Sequence, residues 1–146
     1  MSIEKRLSEL GIVLPAAPAP AANYVPYVIV GNMLYISGQI STIKGRLGDD
    51  LSVQQGVEAA RSCGLALLAQ ASAALGTLDR VKQVVRLGGF VTSTPDFTEQ
   101  PEVVNGCSDL MVEVFGPKGR HARAAVSVPA LPRGVAVEVD AIFEIV

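Results

Sequence analysis

Residues Ala122–Val146 read ARAAVSVPALPRGVAVEVDAIFEIV, two β-rich runs on either side of the joint Pro129-Ala130-Leu131-Pro132-Arg133-Gly134. Side chains along a strand point alternately to the two faces of a sheet. In Ala122–Val128 the alternation gathers Ala124, Val126 and Val128 on one side and Arg123, Ala125 and Ser127 on the other. In the second run it gathers Val135, Val137, Val139, Ala141, Phe143 and Ile145 against Glu138, Asp140 and Glu144. If the two strands pair as neighbours, the register that joins the apolar sets also puts Arg123 with Glu138 and Asp140. Such a group is either a solvated ion pair on an exposed sheet face or a binding site. Small Ala125 and Ser127 leave room for another surface, and a guanidinium takes a carboxylate through two parallel hydrogen bonds.

Upstream, Val81 to Thr92 is rich in β-branched residues and reads as a strand, with Gly88-Gly89 marking a bulge or a close backbone approach. A helix is expected from about Pro101 to Phe115, with Val104, Cys107, Leu110 or Met111 and Val114 on one face and Gly116-Pro117 as its stop. From Ser52 to Leu75 the apolar positions return every three or four residues. Ser52 with Gln55 fits a capping box, and Gly76 closes the helix. Val25–Val30 and Met33–Ile36 read as a hairpin around Gly31-Asn32, ending at Ser37-Gly38-Gln39. Gly45 to Asp50 is a polar loop. Ser2 to Leu10 carries one or two helical turns, and the Ala/Pro run from Pro15 to Pro20 is a stiff arm. The expected division is residues 1–22 as helical turn and arm, and residues 23–146 as one domain. The order ββα, β, α, ββ predicts an α+β (α/β) layer with both main helices on one face of the sheet.

At 146 residues the chain has the length of one ordinary domain. Twelve Lys and Arg against 14 Asp and Glu give a net charge of −2, and the cations are scattered, so no nucleic-acid partner is expected. With 49% apolar residues and a positive mean hydropathy, some apolar surface is expected to be covered by further subunits. No stretch is long and apolar enough for a membrane span, and Glu4, Glu9 and the prolines interrupt any signal-like region, so the expected location is the cytoplasm. Cys63 and Cys107 read as small buried thiols. His121 is the sole histidine, which excludes a His-rich metal site; it is either a loop residue near a subunit boundary or a pocket contributor.

Taken in order, Gly31-Asn32-Met33, Ser37-Gly38-Gln39, Asn105, Arg123 before an Ala-Ala-Val strand, Leu131-Pro132 and Val137-Glu138-Val139 resemble the YjgF/RidA family, also known under the name endoribonuclease L-PSP. The resemblance covers roughly Tyr24 to the C-terminus. The segment from Asn23 to Tyr27 and the run from Gly119 to Arg123 resemble a divergent branch of it. The resemblance implies a chorismate-mutase-like homotrimer with a barrel-like core, helices outside and pockets between subunits, and it implies no metal or organic cofactor. It implies further that Arg123 binds a substrate carboxylate and that Glu138 holds the attacking water, with Tyr24, Ser37, Gly38, Phe90 and Asn105 lining the pocket. The reaction implied is hydrolysis of a 2-imino acid, or its enamine tautomer, to a 2-keto acid and ammonia. Two alternatives stay open: a non-catalytic trimer that binds a carboxylate metabolite, and a ribonuclease. The acidic balance and the single histidine count against the ribonuclease. Where deaminase members commonly carry Cys two residues after the arginine, this chain has Ala125.

Overall fold

The computed structural model describes residues 2–20 and 22–146; positions 1 and 21 of the expected arm lie outside the described residues. The first helix, α1 (Ile3–Glu9), is capped by Ser2, whose hydroxyl accepts from the Lys5 N–H, and it buries Leu7. Glu4 fixes it to the body by accepting from the Thr77 hydroxyl at 2.6 Å and the Leu78 N–H at 2.9 Å. Ile12 and Leu14 pack against the core, and Pro18 O accepts from Gln70 Nε2 at 2.6 Å.

Strands β1 (Tyr27–Val30) and β2 (Met33–Ile40) form the expected hairpin, with Gly31 at φ 60° in the turn. The second strand does not end at Ser37-Gly38-Gln39. It continues to Ile40 through a bulge that sets Ser37 and Gly38 out of the ladder. Helix α2 (Val53–Leu75) has both halves of the Ser52/Gln55 capping box, and Gly76 at φ 81° terminates it. Strand β3 (Val81–Thr92) leads to α3 (Gln100–Phe115), which crosses over to β4 (Ala122–Val128), and β5 (Val137–Ile145) completes the chain.

The five strands lie in the order β1-β2-β5-β3-β4, with β3 and β4 parallel and the other pairs antiparallel. The last two strands are therefore not neighbours, and the hairpin expected for Ala122–Val146 is corrected: β3 lies between them. The α3 crossover delivers β4 parallel to β3 on the outside of the sheet. The joint, with prolines at 129 and 132 and Arg133 at φ 60°, carries the chain back past β3 to the centre. Position follows burial. Every second residue of β5 is buried, as suits a central strand packed on one face, whereas β4 has no fully buried residue.

Register then assigns the faces. Leu87 pairs with both Arg123 and Ala141, and Phe90 pairs with both Val126 and Glu138. Leu34, Ile36, Leu87, Val91, Val139, Ala141 and Phe143 form the helix-covered face, where they are almost wholly buried beneath α2 and α3. Gly89 permits α3 to come close, because a Cβ there would meet the Val104 methyls at 2.8 Å. Arg123, Ala125 and Ser127 share this helix side. The open face carries Val28, Val30, Tyr35 and Ile142 together with Arg86, Phe90, Ala124, Val126, Glu138 and Asp140. The expectation that Arg123 shares a face with Glu138 and Asp140 is thus overturned. Alternation sorted each strand correctly, but the apolar set of β4 looks away from the core. The three residues Val28, Tyr35 and Val126 are between 41% and 47% exposed, so this face carries apolar surface that no described residue covers.

Among the described residues no helix is long and apolar enough to cross a membrane.

Candidate functional site

The expected site residues fall into two groups on opposite sides of the sheet. On the open side, the Glu138 carboxylate lies directly over Gly38, so that a Cβ at position 38 would collide with it. Phe90 is its partner across β3 and β5. Ser37 donates its hydroxyl to Val25 O at 2.7 Å, which pins the β2 bulge to the segment preceding β1. Tyr24 is exposed beside Gly38, in a small groove with Pro26 and Gln39. A cavity of about 420 Å³ opens next to these residues, lined by Tyr35, Ser37, Gly38, Arg86, Asp140 and Ile142 among others. Arg86 Nη1 stands 3.8 Å from Asp140 Oδ1 within it, a pair the sequence reading did not assign to the site.

Burial pushes the Glu138 carboxyl above its ordinary range, and the neighbouring Asp140 pushes it in the same direction. Asp140 is also raised by burial, against which Arg86 and the Gly88 N–H act. The folded chain therefore holds the Glu138 proton more firmly than the unfolded chain does. The stabilisation this provides is complete below the ordinary carboxylate pKa and is lost as pH rises through the raised native value. Glu138→Gln cannot ionise, so its melting temperature is expected to exceed that of the wild type at neutral pH and to lose this advantage near about pH 3.5. Thermal melts at the two pH values check this; a variant no more stable than wild type at neutral pH contradicts it.

On the other side, at the sheet edge, Arg123 reaches α3. Its Nη1 donates to Ser108 Oγ at 3.0 Å and its Nη2 to Pro101 O at 3.1 Å. Pro101, Asn105 and Ser108 are spaced at i, i+4 and i+7, so they follow one stripe of α3, and the exposed Asn105 stands between the two positions that hold Arg123. Among the described residues no carboxylate lies within ion-pair distance of Arg123. A cavity of about 240 Å³ opens here, lined by Ser108, Asp109, Val112, Arg120, His121 and Arg123. The structure therefore sets Arg123 against the stripe of α3 that includes Asn105, and Glu138 together with Gly38 and Phe90, but it does not join the two groups within one chain.

Ser108 is a polar residue of this edge that the sequence did not single out, and of the two readings left open for His121 the lining of this cavity favours the pocket contributor. Ser108 Oγ lies 2.8 Å from His121 Nε2, and His121 Nδ1 lies 2.6 Å from Gly119 O. A signal was present. His121 and Arg123 are two residues apart at the start of a strand, a spacing that aims both side chains to one side. Cys107, in the turn of α3 next to Ser108, is fully buried, and burial pushes its thiol up to about 12, with Arg123 acting in the opposite direction. It is a packing residue, as is Cys63, whose thiol burial also raises. Among the described residues no cluster of His, Cys, Asp and Glu is assembled for a metal ion.

Comparison with known proteins adds to this geometry. The family described as YjgF/chorismate mutase-like, putative endoribonuclease, matches residues 4–144. The Trypanosoma cruzi protein named TCP17 is 53% identical over 150 aligned positions, covering 98% of this chain and 94% of that protein. A crystal structure of an Agrobacterium tumefaciens protein, Atu1372, described as of unknown function, superposes with a TM-score of 0.92 at 48% identity, covering 99% of this chain and 92% of that one. A Dermatophagoides farinae protein named 2-iminobutanoate/2-iminopropanoate deaminase is 30% identical over 141 positions, covering 92% of this chain and 94% of its own length.

Proposed function

The chain belongs to the YjgF/chorismate mutase-like, putative endoribonuclease family, and from that premise we propose that it is a homotrimeric hydrolase that takes 2-imino acids, or their enamine tautomers, to 2-keto acids and ammonia. The observation that carries this reading is Arg123, a cation lining a cavity with no carboxylate within ion-pair distance of it among the described residues. Its hydrogen bonds to Ser108 Oγ and Pro101 O hold the guanidinium in place while leaving its other N–H groups for a ligand. A substrate carboxylate fits that demand in charge and in planar geometry. The relative named as a 2-iminobutanoate/2-iminopropanoate deaminase supports the choice of reaction.

The two faces support this assembly. Arg123 is on the helix side of the edge strand and Glu138 is on the open side, so one small substrate does not touch both in one chain. A closed ring of copies places the edge of one subunit against the open face of the next, which covers the exposed Val28, Tyr35 and Val126 and brings the neighbour's carboxylate to the guanidinium. In that arrangement Arg123 fixes the imino acid, and Glu138, already less acidic than an ordinary carboxyl, accepts the proton of the attacking water. Carbinolamine collapse then expels ammonia.

Incubation with freshly generated 2-iminopropanoate is the test. Pyruvate and ammonia are expected to appear faster than in buffer. No acceleration across several amino-acid-derived imines, combined with ligand-dependent thermal stabilisation that disappears in Arg123→Ala, would instead establish a carboxylate-binding protein without turnover.

A further inference from the structure

We propose that Ser108 and His121 are the proton-transfer pair of the Arg123 cavity, acting on the substrate from within the same chain. The inference rests on the reading that Arg123 holds the substrate carboxylate. Its ground is a run of hydrogen bonds in which each donor has one acceptor. Arg123 Nη1 donates to Ser108 Oγ at 3.0 Å. Gly119 O can only accept, so the proton shared over 2.6 Å belongs to His121 Nδ1, and in the neutral imidazole Nε2 is left as an acceptor. The Ser108 hydroxyl, 2.8 Å away, donates to it. A hydroxyl facing a base that is itself oriented by a third group is the arrangement that activates a hydroxyl or a water for attack.

The same three side chains line one cavity with Asp109 and Arg120, so a ligand seated on Arg123 meets the Ser108 hydroxyl directly. Glu138 of the same chain is on the other face of the sheet. A water oxygen bonds to the imine carbon, the C=N π pair moves to nitrogen, and the water proton taken by Glu138 of the neighbouring copy returns to that nitrogen to give the carbinolamine. In the step assigned here, the carbinolamine hydroxyl proton passes to Ser108 Oγ as the Ser108 proton moves to His121 Nε2. Delivery of that proton from His121 to nitrogen lets ammonia leave with the C–N pair, while the O–H pair becomes the second bond of the carbonyl. Water is the only co-reactant, and no oxidant or reductant is consumed.

A purely structural role for these bonds, tying the start of β4 to α3, makes a different forecast, and imidazole rescue separates the two. With 2-iminopropanoate, His121→Ala is expected to lower kcat on the order of 10²-fold while KM changes little, because carboxylate binding stays with Arg123. Added imidazole is expected to restore a measurable part of kcat. His121→Gln retains hydrogen-bonding capacity but no proton-accepting nitrogen, and it is expected to melt like wild type with the same loss of kcat; it serves as the measurement if His121→Ala does not fold. Wild-type kcat in either variant overturns the proposal while leaving the deaminase reading intact. A kcat loss in His121→Ala that imidazole does not relieve, with wild-type kcat in His121→Gln, also overturns it. Wild-type protein with no turnover removes the deaminase reading and this inference with it.

Discussion

Arg123→Ala is expected to lower kcat/KM for a 2-imino acid by on the order of 10²-fold or more. Hydrogen bonds to a charged partner contribute roughly 1.5–3 kcal/mol each, and a bidentate carboxylate loses two of them. The fold should tolerate the change. Of the two groups Arg123 holds, Ser108 Oγ lines the cavity and Pro101 is an exposed residue, so water replaces the lost donor at both. The melting temperature is therefore expected to stay close to that of wild type, which separates lost binding from lost folding. Arg123→Lys keeps the charge without the planar fork and is expected to fall between the two, at about a tenfold loss. Steady-state kinetics on the three proteins checks this, and an Arg123→Ala enzyme with wild-type kcat/KM would remove the arginine from the site.

The largest effect on stability is expected from Gly106→Ala. Gly106 is on the face of α3 that meets α2, where an added Cβ would overlap the carbonyl oxygen of Val57 and approach Arg61 N to 3.2 Å. Both obstacles are backbone, so no rotamer change relieves the contact and the two helices have to separate. Overpacking of this kind costs about 3 kcal/mol, which for a chain of this length lowers the melting temperature by on the order of 10 °C. Gly89→Ala is the instructive comparison, because its Cβ meets the Val104 methyls, a side chain that can shift. Gly106→Ala is therefore expected to be the more destabilised of the two. Equal melting temperatures for Gly106→Ala and wild type would mean that the helices are less closely packed than described.

Local signals in the sequence carried most of the secondary structure. Ser52, Gln55 and Gly76 marked both ends of α2, and the alternation in Val137–Ile145 gave the buried face of β5 residue by residue. Topology was less legible, because the pairing of β4 with β3 is a long-range consequence of the α3 crossover that no local pattern encodes. That error propagated to the site. Joining apolar Ala124 and Val126 to the apolar set of β5 puts Arg123 beside Glu138, yet these two residues lie on the open face and the sheet separates the arginine from the glutamate. Family resemblance named Arg123, Glu138 and Asn105 without saying which of them meet inside one chain. Ser108 was not legible, and the two readings of His121 stayed open, for a related reason: their contact exists only because α3 packs over the start of β4.

In the proposed ring, Arg123 of one subunit works with Glu138 of the next. Complementation between two inactive variants tests it most directly. Arg123→Ala and Glu138→Gln proteins are purified, unfolded together in equal amounts, refolded and assayed with 2-iminopropanoate. Random reassembly of a ring places an intact arginine against an intact glutamate at about a quarter of the interfaces, so the mixture is expected to recover about a quarter of wild-type activity. A mixture no more active than the separate variants, although wild type refolds to full activity, would contradict a site shared between subunits.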